Sequence, residues 1–198
     1  MFAKAANNLT KSLIDNDVIN RSDFELYRFG FEVGFAIMAN ILTTLVIGIL
    51  FRMPLESLMF LAAFIPLRSY VGGFHTSNHL RCYWLSIPAV IAVLFSVRYV
   101  ASIYSPIYLI LIGGICVIIM FILVPVQDAN RPLDSLEIRV YGRRAKIVIG
   151  IEFSAMVILA LAGFRTISAI IFCTLLLSCI AVCAGAIKNY IKPIKALH

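Results

Sequence analysis

The sequence predicts an all-α integral membrane protein with about six transmembrane helices and an N-terminal amphipathic helical segment. Of its 198 residues, 62% are hydrophobic, and the mean hydropathy is +0.98. An ordinary soluble domain is only about half apolar, so this composition excludes that class. The apolar residues also gather into runs close to the roughly 20 residues that a helix needs to cross a bilayer. We expect one membrane domain over residues 1–198.

Residues 1–29 contain no apolar core of a cleaved signal peptide. Their mixture of apolar and charged residues is typical of amphipathic helices that lie on the cytoplasmic membrane surface, and a partly disordered tail is the alternative. We expect the helical bundle to cover residues 30–187 and a basic cytoplasmic tail to cover residues 188–198.

Six apolar runs are the candidate spans. They cover residues 30–51, 55–67, 83–102, 107–126, 147–163 and 167–187. The second run is about 20 Å long as a helix, which is short of a hydrocarbon core of about 30 Å. Because the connections at 103–106 and 164–166 are tight, we expect two antiparallel hairpins, formed by spans three and four and by spans five and six.

The basic residues predict the orientation of the spans. The chain has 17 Lys and Arg residues and a net charge of +7. In a membrane protein such residues mark the cytoplasmic side, so the charge indicates contact with the lipid bilayer, and no nucleic-acid partner is expected. With six spans and both termini inside, every basic residue is cytoplasmic except Arg52, Arg98 and Arg165.

The stretch RSYVGGFHTSNHLRC, residues 68–82, carries the candidate chemistry and lies between the second and third runs. Cys82 offers a nucleophilic thiol, and His75 offers an imidazole, a group whose ordinary pKa lies near neutrality. On one straight helix these two residues would lie about 10 Å apart, which is too far for a hydrogen bond. A Cys-His pair therefore requires a break in the helix between them.

Gly72 and Gly73 can supply this break, and Ser77 or Asn78 can cap a new helix. Cys82 would then lie in a first helical turn, where free N–H groups and the positive end of the helix dipole favour a thiolate. N–H groups near Gly73 could also point at a developing oxyanion. Because the cytoplasm is reducing, Cys82 is expected to stay a free thiol.

Two other interpretations of these residues stay open. A cysteine among apolar residues is usually a packing residue, and Cys82 could be one. We expect the other four cysteines to be packing or lipid-facing residues. His75, His79 and Cys82 would share one face of an unbroken helix, as a zinc site needs. The stretch lacks the Glu of H-E-x-x-H and an obvious fourth ligand, so no metal and no cofactor are expected.

Two polar features lie outside this stretch. Residues 127–146 form the longest polar connection, which is a candidate docking surface for a peptide or for anionic lipid, unless its charges only fix the orientation. Glu152 lies about two turns inside the fifth span, where an ionisable group either has a function or is satisfied by neighbours. Glu152 and Arg98 motivate a second hypothesis, a small transporter or channel.

The chain resembles the accessory gene regulator B (AgrB) family, the membrane endopeptidases that process autoinducing peptide precursors in Gram-positive bacteria. The resemblance covers about residues 10–190. It rests on residues 27–30 (YRFG), on residues 130–133 (NRPL), and on the spacing of Arg68, Gly72, Gly73, His75 and Cys82.

This resemblance implies a thiol protease of the bacterial cell membrane that acts in quorum sensing on a short precursor peptide at the cytoplasmic face. By similarity, Cys82 attacks the bond before the C-terminal tail of the peptide, and His75 transfers the thiol proton to the leaving amine. A Cys or Ser of the peptide then captures the thioester as a thiolactone or lactone. Arg68 is assigned to binding an acidic tail or to orienting the loop that contains Gly72 and Gly73.

The sequence leaves the third catalytic residue and the oligomeric state open. Asn78, Asn130 and Glu152 could each orient His75. The short second span and lipid-facing small residues leave room for a homodimer.

Overall fold

The computed structural model describes residues 2–73, 79–103, 105–127 and 134–191. These residues form seven α-helices, a single 3-10 turn at Arg21–Asp23 and no strand. The helices are α1 (Phe2–Asp15), α2 (Phe24–Leu50), α3 (Pro54–Val71), α4 (His79–Ser102), α5 (Pro106–Leu123), α6 (Ser135–Leu161) and α7 (Arg165–Ile191). The predicted all-α class is confirmed, and the six predicted spans correspond to α2 through α7.

Four helices are long and apolar enough to cross a membrane: α2, α4, α5 and α7. The polar residues Glu56 and Arg68 lower the average hydropathy of α3, and the charged first half of α6 lowers that of α6. Helix α3 nevertheless extends beyond the apolar run at 55–67. Polar residues extend α3 to 18 residues, or about 27 Å, so it is longer than the apolar run alone predicts.

The start of α6 corrects the predicted connection at 127–146. The Asp134 carboxylate accepts a hydrogen bond from the Glu137 N–H at 2.7 Å, and the Glu137 side chain accepts one from the Asp134 N–H at 3.3 Å. This reciprocal pair is a capping box, which satisfies N–H groups that a helix start otherwise leaves free. Residues 135–146 are therefore the first turns of α6, and the prediction of a connection there was wrong.

Helix α7 lies at the centre of the bundle and packs against α3, α4, α5 and α6. Small side chains let helices approach closely in a membrane. The small residues that α7 buries are Ser168, Ala169, Cys173, Thr174, Ser178, Cys179 and Gly185. Helix α2 packs beside this group, against α3 and α4.

The two predicted hairpins have different outcomes. Helices α6 and α7 pack against each other, so that hairpin is confirmed. Helices α4 and α5 are joined at 103–105, but within the described residues they are not a packed pair, because α4 packs on α2 and α7 and α5 packs on α7 and α6. A short connection restrains only the ends of two helices, and the small residues of α7 offer both a closer packing surface.

The N-terminal segment is helical, as the amphipathic pattern predicts. Helix α1 packs on α2, burying Ala6 and Thr10 while Lys4 and Lys11 stay exposed. The Thr10 hydroxyl donates to the Ala6 carbonyl at 2.8 Å. Helix α2 begins before the predicted boundary at 29/30, and α7 ends beyond the one at 187/188, so continuous helices cross both boundaries.

One end of the bundle gathers segments that are distant in the sequence, and we call it the site end. There Tyr70 of α3 lies beside Tyr141 of α6, with ring centroids 6.2 Å apart. The Asn189 side chain of α7 donates to the Gln127 carbonyl at 2.8 Å. Arg52, in the turn before α3, and Arg165, the first residue of α7, lie at the opposite end of the bundle.

The close approach of α2 and α3 at Gly48 yields a stability prediction. A Cβ atom at Gly48 would lie 2.5 Å from Ser57 Cβ and 3.1 Å from the Met53 carbonyl oxygen. Because α2 and α3 would have to separate, Gly48→Ala should lower the free energy of unfolding by about 1–3 kcal/mol. Thermal unfolding of the purified protein in detergent measures this.

Gly34→Ala is the matched control in the same helix, because nothing lies within 4 Å of its added Cβ. This variant should match or slightly exceed the parent protein in stability, since Ala favours helix over Gly. Equal melting temperatures for the two variants would contradict the proposed close packing.

Candidate functional site

The predicted break in the helix is present. Helix α3 ends at Val71, and Gly72 and Gly73 follow with φ angles of 75° and 116°. These angles lie in the region that glycine adopts at little cost and that other residues rarely adopt. The chain therefore cannot continue α3 toward Cys82, and α4 begins only at His79.

The turn at 71–73 is packed tightly against two other segments. The Val71 carbonyl accepts a hydrogen bond from the Val126 N–H at 3.2 Å, and Gly72 forms a β-bridge with Val126. A Cβ at Gly72 would overlap the Val126 carbonyl oxygen, and one at Gly73 would lie 3.0 Å from the Ala181 carbonyl oxygen. Both positions thus need glycine for space as well as for backbone angle.

Arg68 closes the turn from within α3. Its Nη1 donates to the Gly72 carbonyl at 2.7 Å. This bond satisfies a carbonyl that the end of α3 leaves without a helical partner. The contact supports the predicted loop-orienting role of Arg68, whereas binding of an acidic tail stays a prediction.

Cys82 lies where the sequence predicts, in the first turn of α4, and its half-buried side chain is a free thiol. His79 begins this helix. His75 lies outside the described residues, and so do Ser77, Asn78 and Asn130, the candidate caps and orienting groups. The pairing of His75 with Cys82 stays a prediction.

Two polar contacts fix the start of α4 against α2. The Tyr83 hydroxyl hydrogen-bonds the Thr43 hydroxyl at 2.8 Å, and the Ser86 hydroxyl donates to the Asn40 side chain. The Phe2 ring of α1 also meets the Tyr83 ring edge-on, with centroids 5.9 Å apart. None of these partners of the site is predicted from the sequence motifs. Polar Asn40 and Thr43 within an apolar span were the available signal.

The model of the family described as accessory gene regulator B matches residues 4–182. The chain belongs to the AgrB family. This membership relates the chain to the accessory gene regulator quorum-sensing system. The matched range includes all five predicted site residues, Arg68, Gly72, Gly73, His75 and Cys82.

Two relatives from Clostridium perfringens are similar to the chain. A putative AgrB-like protein of strain SM101 / Type A is 28% identical over 118 residues. A putative AgrB-like protein 2 of strain 13 / Type A is 27% identical over 116 residues. Each match covers 56% of this chain and 54% of the relative, so the chain spans about half the length of the curated relatives it matches. No solved structure matches the chain.

The cysteines of this AgrB family member separate into two groups. Cys116, Cys173 and Cys179 are buried in the bundle, which confirms that they are packing residues. Cys183 and Cys82 are half-buried, and all five thiols are free. Within the described residues no group of three His, Cys, Asp or Glu could hold a metal. The alternative zinc set includes His75, which lies outside those residues.

Glu152 shares a face of α6 with the buried residues Ile149 and Met156. Its Oε2 atom is buried and has no hydrogen-bond partner within the described part of the chain. The interpretation that neighbours satisfy this carboxylate is therefore wrong for Oε2. Arg98 is exposed on α4 and lines a small cleft with Phe51 and Met53.

The glycine turn yields a test of how the site is held. Gly72→Ala adds a Cβ against the Val126 carbonyl oxygen at a positive φ, so the turn must move. We expect a loss of about 1–3 kcal/mol of stability. We also expect faster hydrogen exchange at the Val126 amide, which donates to Val71.

Gly150→Ala is the control, because nothing lies within 4 Å of an added Cβ in the middle of α6. Its Val126 amide should exchange as slowly as in the parent protein. Unchanged exchange in Gly72→Ala would show that the turn does not depend on glycine.

Proposed function

We propose that this AgrB family member is a membrane cysteine endopeptidase. It would cleave the C-terminal tail from the precursor of a quorum-sensing autoinducing peptide. The observation that carries the proposal is the break at Gly72 and Gly73, after which a half-buried free thiol, Cys82, occupies the first turn of a new helix. An unbroken helix would have kept any base at residue 75 about two turns from this thiol.

The position of Cys82 suits a nucleophile. The first four N–H groups of a helix have no partner within it, and the dipole is positive at that end. N–H groups at such a position are donors for a developing oxyanion. The hydrogen bonds of Tyr83 and Ser86 to α2 hold this turn in place.

The proposed reaction has two steps. In the first, His75 accepts the thiol proton, the Cys82 sulfur attacks the scissile carbonyl carbon, and the C–N bond breaks as His75 protonates the leaving amine. The products are a thioester on Cys82 and the released tail. In the second, a Cys or Ser side chain of the peptide attacks the thioester, closing a thiolactone or lactone ring, and the proton returns to Cys82. Exchange between thioesters is nearly neutral in energy, so release of the tail favours the forward direction.

Substitution of the two proposed catalytic residues tests the reaction. Cys82→Ser and His75→Ala should each reduce precursor cleavage by at least about 10³-fold, because nucleophile and base act as a unit. Cleavage of a tagged precursor peptide by the protein in proteoliposomes measures this. A precursor that is cleaved but closes its ring slowly should also leave a thioester on the parent protein, which mass spectrometry detects.

Cys183→Ser is the matched control, since Cys183 is also a half-buried free thiol but lies within α7. It should cleave at the parent rate. Cleavage that survives in Cys82→Ser or in His75→Ala, in protein that inserts normally, would remove the proposed pair.

We also propose that the site end faces the cytoplasm. Arg68, Arg81 and the basic residues of α6 lie at that end, whereas Arg52 and Arg165 lie at the other, and basic residues favour the cytoplasmic side. In a variant without native cysteines, a membrane-impermeant maleimide added to intact cells should label Arg165→Cys and leave Arg139→Cys unlabelled. The opposite pattern would reverse the orientation.

One observation favours a second candidate function, a small transporter or channel. The buried Glu152 Oε2 has no partner in the described residues, and an intramembrane carboxylate often marks an ion or proton path. Solute flux in proteoliposomes that survives Cys82→Ser and is lost in Glu152→Gln would support transport. Cleavage without flux would support the peptidase alone.

A further inference from the structure

The outward face of the first turns of α6 combines basic and apolar side chains. Arg139, Arg143 and Lys146 are exposed. Leu136, Val140 and Ile147 are also exposed on these turns, with exposed fractions of 69%, 40% and 52%. These six side chains are neither proposed catalytic residues nor part of the buried core of the bundle.

The two sets form neighbouring stripes along the helix. At 100° per residue, Leu136, Val140 and Ile147 fall within about 40° of one another. The basic residues lie immediately to one side of this apolar stripe. The buried residues Gly142 and Ala145 lie opposite the apolar stripe, and the exposed basic residues lie on the flank between the two.

The apolar stripe continues along the exposed face of the membrane span. Ile151, Ile158 and Leu161 extend it, with exposed fractions of 63%, 66% and 71%. From Leu136 to Leu161 the stripe is about 38 Å long, which exceeds a hydrocarbon core of about 30 Å. Because the stripe is longer than the hydrocarbon core, its first turns extend to the level of the lipid headgroups.

The positive charges of this face are not neutralised by the protein. The ion pairs of Arg28 with Glu25 and Glu32 lie on α2 and involve none of these charges. No described hydrogen bond involves the Arg139, Arg143 or Lys146 side chain either. Long basic side chains beside an apolar stripe place their stems on lipid and their charges at the headgroups.

We propose that this face binds anionic phospholipid, with the headgroup phosphates on Arg139, Arg143 and Lys146 and the acyl chains along the apolar stripe. An acidic peptide could use the charges, but it would not need an apolar stripe that runs unbroken into the span. The occupant is therefore a lipid of the leaflet at the site end. This proposal does not depend on the peptidase activity.

The bound lipid would lie close to the glycine turn. Arg144, on the next side of α6, has its guanidinium 5.8 Å from the centre of the Tyr70 ring, and Tyr141 also contacts Tyr70. Tyr70 is two residues before Gly72. A lipid that holds the start of α6 in place therefore also stabilises the helix end from which the turn leaves.

Lipid-dependent thermal stability of the detergent-purified protein tests the proposal. Phosphatidylglycerol should raise the melting temperature more than phosphatidylcholine does. The double variant R139Q/R143Q should bind phosphatidylglycerol more weakly by on the order of tenfold, since each surface charge contributes several-fold to affinity for anionic lipid. The control R52Q/R98Q removes two exposed charges at the opposite end of the bundle and should keep the parent response.

The outcomes separate lipid from other anions. Without lipid, R139Q/R143Q should have the same melting temperature as the parent protein, because both side chains are exposed. The proposal is overturned if both double variants respond equally to phosphatidylglycerol, or if the two lipids stabilise equally. It is also overturned if inorganic phosphate or a soluble acidic peptide reproduces the full stabilisation.

Discussion

Two glycines with positive φ end α3 at Val71 and press the chain against Val126 and Ala181. The rest of the site depends on this turn. It ends α3 at the site end, so that Cys82 belongs to the first turn of a new helix. The turn is held from three sides, because Arg68 bonds the Gly72 carbonyl, the 124–127 segment pairs with it, and α7 lies against Gly73. Its geometry is therefore a property of the whole bundle.

Helix α7 makes this arrangement possible. Its small buried residues let four helices pack around it, and the same helix passes the glycine turn at Ala181 and reaches Gln127 through Asn189. Segments from four distant parts of the chain thus meet at one end. The start of α4 is fixed separately, by Thr43 and Asn40 of α2. Gly73 and the start of α4 are consequently held by different helices.

The hydrophobic runs, the glycine pair and the charge distribution were sufficient to predict the class, the helices, the break and the helical position of Cys82. These features depend on local sequence and on the bilayer as solvent. The start of α6 was missed because residues 135–146 are polar, although the Asp134 and Glu137 capping box was visible. The packing of α4 and α5 on α7, and the Thr43 and Asn40 contacts, were not predictable because they depend on tertiary packing. Pairing of His75 with Cys82 rests on the family resemblance and on spacing.

The location of Cys82 at the site end suits the proposed chemistry. A peptide that lies on the membrane surface reaches a nucleophile only if the thiol is near the boundary of the bilayer, and the first turn of α4 provides such a position. Deeper in the bundle Cys116, Cys173 and Cys179 are enclosed by other helices, so no peptide can approach them. Burial therefore distinguishes Cys82 from these three thiols, and its place at a helix start distinguishes it from Cys183 in the interior of α7. Of the five cysteines, only Cys82 combines partial exposure with a place in the first turn of a helix.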